Sequence, residues 1–131
     1  MRKDTRNWLE TAEYDLESAR HMLSSSRYLH VVFFCHVALE KALKAVVSEV
    51  TGKYAPRTHN LLDLVNLARL TPTPEQREFL TELNDASIPT RYPEDLREAV
   101  RVFTRARVFR ILQQAQETIA WIRSHPSLAE S

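Results

Sequence analysis

Three polar side chains recur at a regular spacing within a largely apolar segment in the first half of the chain. His36, Glu40 and Lys44 are four residues apart within YLHVVFFCHVALEKALKAVVSEV at positions 28–50. On a helix, this spacing places them above one another on one face. An imidazole, a carboxylate and an ammonium group in a row could hold a polar ligand or form ion pairs at an interface. This polar stripe, His36, Glu40 and Lys44, is the first candidate for chemistry.

The chain offers few other routes to bound metals or phosphates. His36 and Glu40 are spaced like two metal ligands, but no second helical pair supplies the third and fourth ligands that a metal site needs. The single glycine, Gly52, excludes the phosphate-binding loops of nucleotide-binding folds, which require several glycines. We therefore expect neither a metal nor another cofactor.

Two connecting segments add candidate ligand contacts. Lys53, Arg57 and His59 lie in the cationic segment KYAPRTH, and could contact phosphate. In the second segment, Arg91 could bind phosphate and Tyr92 offers a ring for stacking. Each of these residues alone is equally compatible with a helix cap or a surface stack. The predicted ligand site consists of His36, Glu40, Lys44, His59, Arg91 and Tyr92.

A later group of arginines is the densest basic feature of the chain. On one continuous helix, Arg97, Arg101 and Arg105 would share a face that could meet RNA, a nucleotide or an acidic partner. Glu94 and Glu98 dilute this charge. A solvated helix face is therefore the default interpretation.

Helices must position all of these side chains. The segment 28–50 has no Gly or Pro, and its apolar residues cover most of the helical circumference, which predicts a central helix buried on several sides. Amphipathic spacing predicts a first helix through about Leu23, capped by Asp4 or Thr5, antiparallel to the central helix. A short third helix over 60–68, capped by Thr58, should follow.

The second half of the chain is divided by prolines. Residues 75–85 should form a fourth helix and residues 86–93 an irregular segment, with Arg91 to Pro93 extended, because a residue that precedes proline disfavours α geometry. Residues 94–103 fit an extra turn or short helix that leads into a last helix through Ser124. Residues 126–131 should be a frayed tail. The sequence predicts an all-α, up-and-down bundle of four to five helices.

Length and charge limit the classes of protein. The 131 residues fit one domain, and 18 Lys and Arg against 17 Asp and Glu give a net charge of +1, which excludes the global basic field of a nonspecific nucleic-acid binder.

Cys35 is expected to be a small buried hydrophobe, which indicates a reducing compartment. No apolar run approaches the roughly 18 residues of a membrane span. We expect a soluble, cytoplasmic protein.

An ordered set of motifs resembles one family. Its members are Trp8, Ala12, Asp15, Leu16 and Ala19 in the first helix, the run FCHVALEKALKA at 34–45, Thr58 to Leu61, Arg91 to Pro93, and Ala120 to Ile122. Together these span nearly the whole chain, and in this order they resemble a HEPN domain, a small helical family named for nucleotide binding in prokaryotes and higher eukaryotes.

The resemblance implies a homodimeric bundle that works beside a minimal nucleotidyltransferase in two-component, toxin–antitoxin systems. It also implies metal-independent ribonuclease activity, for which His36, His59 and Arg91 are the candidate catalytic residues. Active members carry an arginine followed four to six residues later by a histidine. Here Arg57 precedes His59 by two, and the first histidine after Arg91 is His125.

Three hypotheses follow. The first is a nucleotide- or RNA-binding module with a nucleotidyltransferase partner. The second is an endoribonuclease toxin that uses the same residues. The third is a purely structural dimerising bundle, in which the polar stripe forms ion pairs at an interface.

Overall fold

Six α-helices and one 3₁₀ turn make up a computed structural model that describes residues 1–129. No strand occurs in those residues, and the predicted all-α fold is confirmed. Two seven-residue helices raise the number above the predicted four to five. The elements are α1 (Lys3–Ser24), α2 (Tyr28–Thr51), α3 (Leu61–Leu67), α4 (Pro74–Arg91), α5 (Leu96–Val102), α6 (Arg105–Arg123) and the 3₁₀ turn Pro126–Leu128.

Helix α2 is the centre of the bundle, as its sequence predicts. Helices α1, α3, α4, α5 and α6 and the 3₁₀ turn all contact it. Most of its apolar residues are buried, with Phe33, Phe34 and Val37 partly exposed, and a fully buried Val or Leu side chain contributes about 1.5–3 kcal/mol to folding. The helix ends at Gly52, whose φ of +69° is the left-handed conformation that glycine adopts without strain.

Helices α1 and α2 pack antiparallel. The hydroxyls of Thr5 and Ser48 are 2.6 Å apart at one end, and Lys41 pairs with Asp15 at 2.5 Å further along. Helix α1 starts at Lys3 with Arg2 at its N-cap position, where no side chain caps the helix. The predicted cap by Asp4 or Thr5 is wrong, because Thr5 is buried against α2 and bonds there instead.

Helix α4 continues six residues beyond the predicted end at residue 85. It passes through Pro89, and the predicted irregular segment 86–93 is wrong for residues 86–91. Buried Ala86 and Thr90 pack into the core, and the Thr90 hydroxyl donates to the Ala86 carbonyl at 2.7 Å. These contacts offset the hydrogen bond that a proline removes from a helix. The helix stops only at Tyr92, directly before Pro93.

Two other local predictions also need correction. Asn60, and not Thr58, caps α3, since its Oδ1 accepts from the backbone N–H groups of Leu62 and Asp63 at 3.0 and 3.3 Å. The predicted frayed tail is ordered over Pro126–Leu128, where Leu128 is buried against the bundle. The last two residues of that predicted tail, 130–131, lie outside the described residues.

Candidate functional site

The polar stripe of α2 is buried. His36, Glu40 and Lys44 are 1%, 6% and 5% exposed. Lys44 Nζ donates to Glu40 Oε2 at 3.1 Å, and His59 Nδ1 donates to Glu40 Oε1 at 2.9 Å. Both carboxylate oxygens therefore have a partner, as a buried charge requires.

His59 is held at the surface end of this network. Its side chain is 68% exposed, although its Nδ1 is bonded to the buried Glu40. The adjoining start of α3 is attached to α4, because Asn84 Oδ1 accepts from Leu61 N and Asn84 Nδ2 donates to Asn60 Oδ1, both at 3.0 Å. His59 is thus an exposed imidazole whose orientation is set by a buried carboxylate.

Arg91 extends from the end of α4 to the other end of the polar stripe. Its guanidinium carbon lies 4.7 Å from the centroid of the Phe33 ring, a cation–π distance. Its Nη2 lies 3.5 Å from His36 Nδ1, a long hydrogen bond. Lys44 has a comparable aromatic contact, with Nζ 5.4 Å from the Trp8 ring centroid. Both cations therefore lie over aromatic faces.

Two buried nitrogen atoms in this group have no close hydrogen-bond partner among the described residues. They are His36 Nε2 and Arg91 Nε. Arginine can only donate, so His36 Nδ1 must accept from it, and a neutral imidazole then carries its proton on Nε2. The side chain of Asn84 also interacts with His36 and raises its pKa, so Arg91 Nε is the donor of this site that lacks any partner among the described residues. Unpaired buried donors are rare in folded proteins, and a bound water, ion or ligand is one explanation for them.

The pKa of His36 supports the neutral form. Burial, the largest effect, lowers the pKa below its usual 6.5. The positive charge of Arg91 lowers it further, whereas the negative charge of Glu40 opposes this shift in part. At neutral pH the ring is therefore uncharged and keeps one donor and one acceptor nitrogen.

Five of the six predicted site residues lie along one face of α2. His36, Glu40 and Lys44 belong to it, and it is reached by His59 from the segment before α3 and by Arg91 from α4. Tyr92 does not join them. Its side chain is 75% exposed and lines a groove between α4 and α5.

Sequence reasoning missed Asn84 as a residue of this region. Asn84 connects α3 to α4 and lies beside His36. The signal available was an asparagine inside a helical segment, since asparagine is a poor helix former that often hydrogen-bonds with backbone groups.

The predicted arginine face does not form. The chain leaves helical geometry at Phe103 and Thr104, so Arg97 and Arg101 belong to α5 and Arg105 to α6. Arg101 pairs with Glu98 one turn away. Arg105 bonds to the hydroxyl of Tyr28 and, after Ser26, is the second cause of a lowered pKa of that phenol.

The described residues contain neither a cluster of metal ligands nor a helix that could cross a membrane. Among residues 1–129, no three His, Cys, Asp or Glu side chains are grouped so as to hold a metal ion. In the same range, every helix is too short or too polar to cross a bilayer.

Comparison with known proteins identifies one matching family and similar solved structures. The family model of the HEPN domain matches residues 5–125. The chain is 30% identical to TT1696 from Thermus thermophilus, with a TM-score of 0.78 over 93% of this chain and 98% of that one. It is 25% identical to ST0689, an archaeal HEPN homologue, with a TM-score of 0.72 over 94% and 97% of the two chains. No curated protein matches significantly.

Proposed function

Because this chain belongs to the HEPN domain family, we propose that it is a nucleotide- or RNA-binding module whose ligand contacts Arg91 and His59. These two residues are the accessible members of the site. His36, Glu40 and Lys44 are buried and act by positioning them.

The unpaired donor of Arg91 carries this proposal. Arg91 Nε is buried without a partner among the described residues, and Nη2 of the same guanidinium touches His36. A phosphate oxygen is an acceptor that could pair with Arg91 Nε, and charge-assisted hydrogen bonds of this kind are the strong ones. A small rotation of Arg91, which is only partly buried, would expose its Nε to such a ligand.

Local charge favours an anionic ligand as well. Glu40 is the one carboxylate of the group, against the two cations Lys44 and Arg91. Lys53 and Arg57 lie exposed in the segment that leads to His59. The site is therefore cationic, although the chain as a whole has a net charge of only +1.

The decisive experiment measures affinity for a fluorescein-labelled oligoadenylate decamer by anisotropy, with ATP as competitor. Arg91→Ala removes a charged contact worth about 1.5–3 kcal/mol, so Kd should rise roughly 10- to 100-fold. His59→Gln should also weaken binding. Arg77→Ala, an exposed arginine on the same helix, is the matched control and should bind normally.

Unchanged affinity in both site variants would contradict the proposal. Wild-type protein that binds neither RNA nor ATP would favour the third hypothesis, a purely structural bundle. Circular dichroism of each variant checks that the fold is intact.

One observation favours ribonuclease activity as a second candidate function. An exposed imidazole held by a buried carboxylate, as His59 is by Glu40, is the arrangement of a general base or acid. RNA cleavage through the 2′-hydroxyl would further need a cation at the phosphate, a role for Arg91. Cleavage of the same decamer, or toxicity on expression, that is abolished by His59→Ala would establish this activity.

We propose in addition that the module is homodimeric and works with a minimal nucleotidyltransferase in the cytoplasm. The support for this arrangement is the chain's membership of the HEPN family.

A further inference from the structure

A groove between α4 and α5 forms a second feature of the surface. Its volume is about 970 Å³, and none of the stripe residues, nor His59 or Arg91, lines it. Helix α4 presents Arg91 to α2, whereas Ile88 and Tyr92, four residues apart, both line the groove. The apolar part of the lining includes Ile88, Pro89, Tyr92, Val102 and Phe103.

The walls of this α4–α5 groove are open to solvent. Ile88, Tyr92 and Val102 are 69%, 75% and 43% exposed. Helix α5 has no buried residue at all. Apolar side chains grouped in this way on a surface are typical of an interaction site. A small-molecule site encloses most of its ligand, which such an open groove does not do.

The rim of the groove is acidic. Arg107 is the one cation of the lining, and Arg107 Nη2 and Arg110 Nη2 lie 3.9 and 2.9 Å from the same Glu82 oxygen. Arg101 pairs with Glu98, so four of the six lining carboxylates have no ion-pair partner among the described residues. This negative field contrasts with the net charge of +1 of the whole chain. The lining carboxylates are Glu78, Glu82, Asp85, Glu94, Asp95 and Glu98.

We propose that the α4–α5 groove is the docking site for a basic amphipathic helix of a partner protein. A helix can lie between two others and bury its apolar face, as in helix-in-groove recognition. Lys and Arg on the flanks of that helix would face the acidic rim, which gives the pairing its specificity and speeds association. The groove lies apart from the proposed nucleotide site, so either proposal can fail without the other.

The test uses a fluorescein-labelled 18-residue Leu/Lys amphipathic helical peptide, with a Leu/Glu peptide of the same pattern as control. Ile88→Asp should raise the Kd of the Leu/Lys peptide at least tenfold, and so should the double change Asp85→Lys and Glu94→Lys. Leu67→Asp and the pair Glu10→Lys, Glu13→Lys are matched surface controls outside the groove and should leave Kd unchanged.

Three results would overturn the proposal. One is equal binding of the two peptides, and another is Leu/Lys binding that the groove variants do not weaken. The third is a wild-type dimer that Ile88→Asp dissociates, since the groove would then be occupied by a second copy of the chain. Thermal melting of Ile88→Asp confirms that a change at this exposed position leaves the fold intact.

Discussion

At the scale of single residues, His36 makes the stability of the fold depend on pH. Its pKa in the folded protein is below the usual 6.5, so the unfolded chain binds the proton more readily. The free energy of unfolding should be constant well above pH 6.5 and decrease as the pH falls below it. Urea denaturation at pH 5–8 measures this dependence.

His36→Gln removes the titrating group, so the free energy of unfolding of this variant should decrease less between pH 7 and 5. His30→Gln changes an exposed histidine on the same helix and should show the same decrease as the wild type. Equal pH profiles for wild type and His36→Gln would show that another group is responsible.

The sequence predicted some of the site's residues and missed others for one physical reason. Spacing along α2 is local, so the polar stripe can be recognised directly from the sequence. The predicted burial of Cys35 is local in the same way, and Cys35 is fully buried, which raises its pKa to about 12. The contacts of Asn84 and the unpaired nitrogen of Arg91 depend on where α4 packs. That placement is set by residues distant in the chain.

At the scale of elements, a capping box fixes the start of α4. Gln76 N donates to Thr73 Oγ1 at 3.1 Å, and Thr73 N donates to Gln76 Oε1 at 2.8 Å. Thr73→Ala should lower the free energy of unfolding by about 1 kcal/mol, the usual cost of losing such a cap. Chemical denaturation measures this loss.

Thr71→Ala is the matched control, since Thr71 precedes the helix and its side chain has no hydrogen bond with any of the described residues. RNA affinity should not change in either variant, because Arg91 lies at the opposite end of α4. A loss of affinity in Thr73→Ala would show that the two ends are coupled.

The end of α4 shows a limit to predicting the ends of helices from sequence. Amphipathic spacing predicts most helices correctly, but the prolines predict an irregular segment where α4 in fact continues through Pro89. The helix passes through it because Ala86 and Thr90 are buried on the core side, a tertiary gain that local propensity does not contain. This extension brings Arg91 to His36.

At the scale of the whole molecule, the proposed function predicts defined assemblies. Light scattering on the purified chain should give the mass of a dimer, and affinity capture of the tagged chain from its native lysate should recover a nucleotidyltransferase, identified by mass spectrometry. A monomer in the first measurement would contradict the homodimer. Recovery of the chain alone in the second would remove the support for a two-component system.

The central position of α2 also has a consequence for biosynthesis. Its apolar surface is covered on one side by α1, which precedes it, and on another by α6, which the ribosome makes more than fifty residues later. A nascent chain therefore exposes part of α2 until α6 has emerged. Exposed apolar surface of this kind binds chaperones or leads to aggregation. A premature stop before α6 would leave that side permanently bare and expose the truncated product to proteolysis.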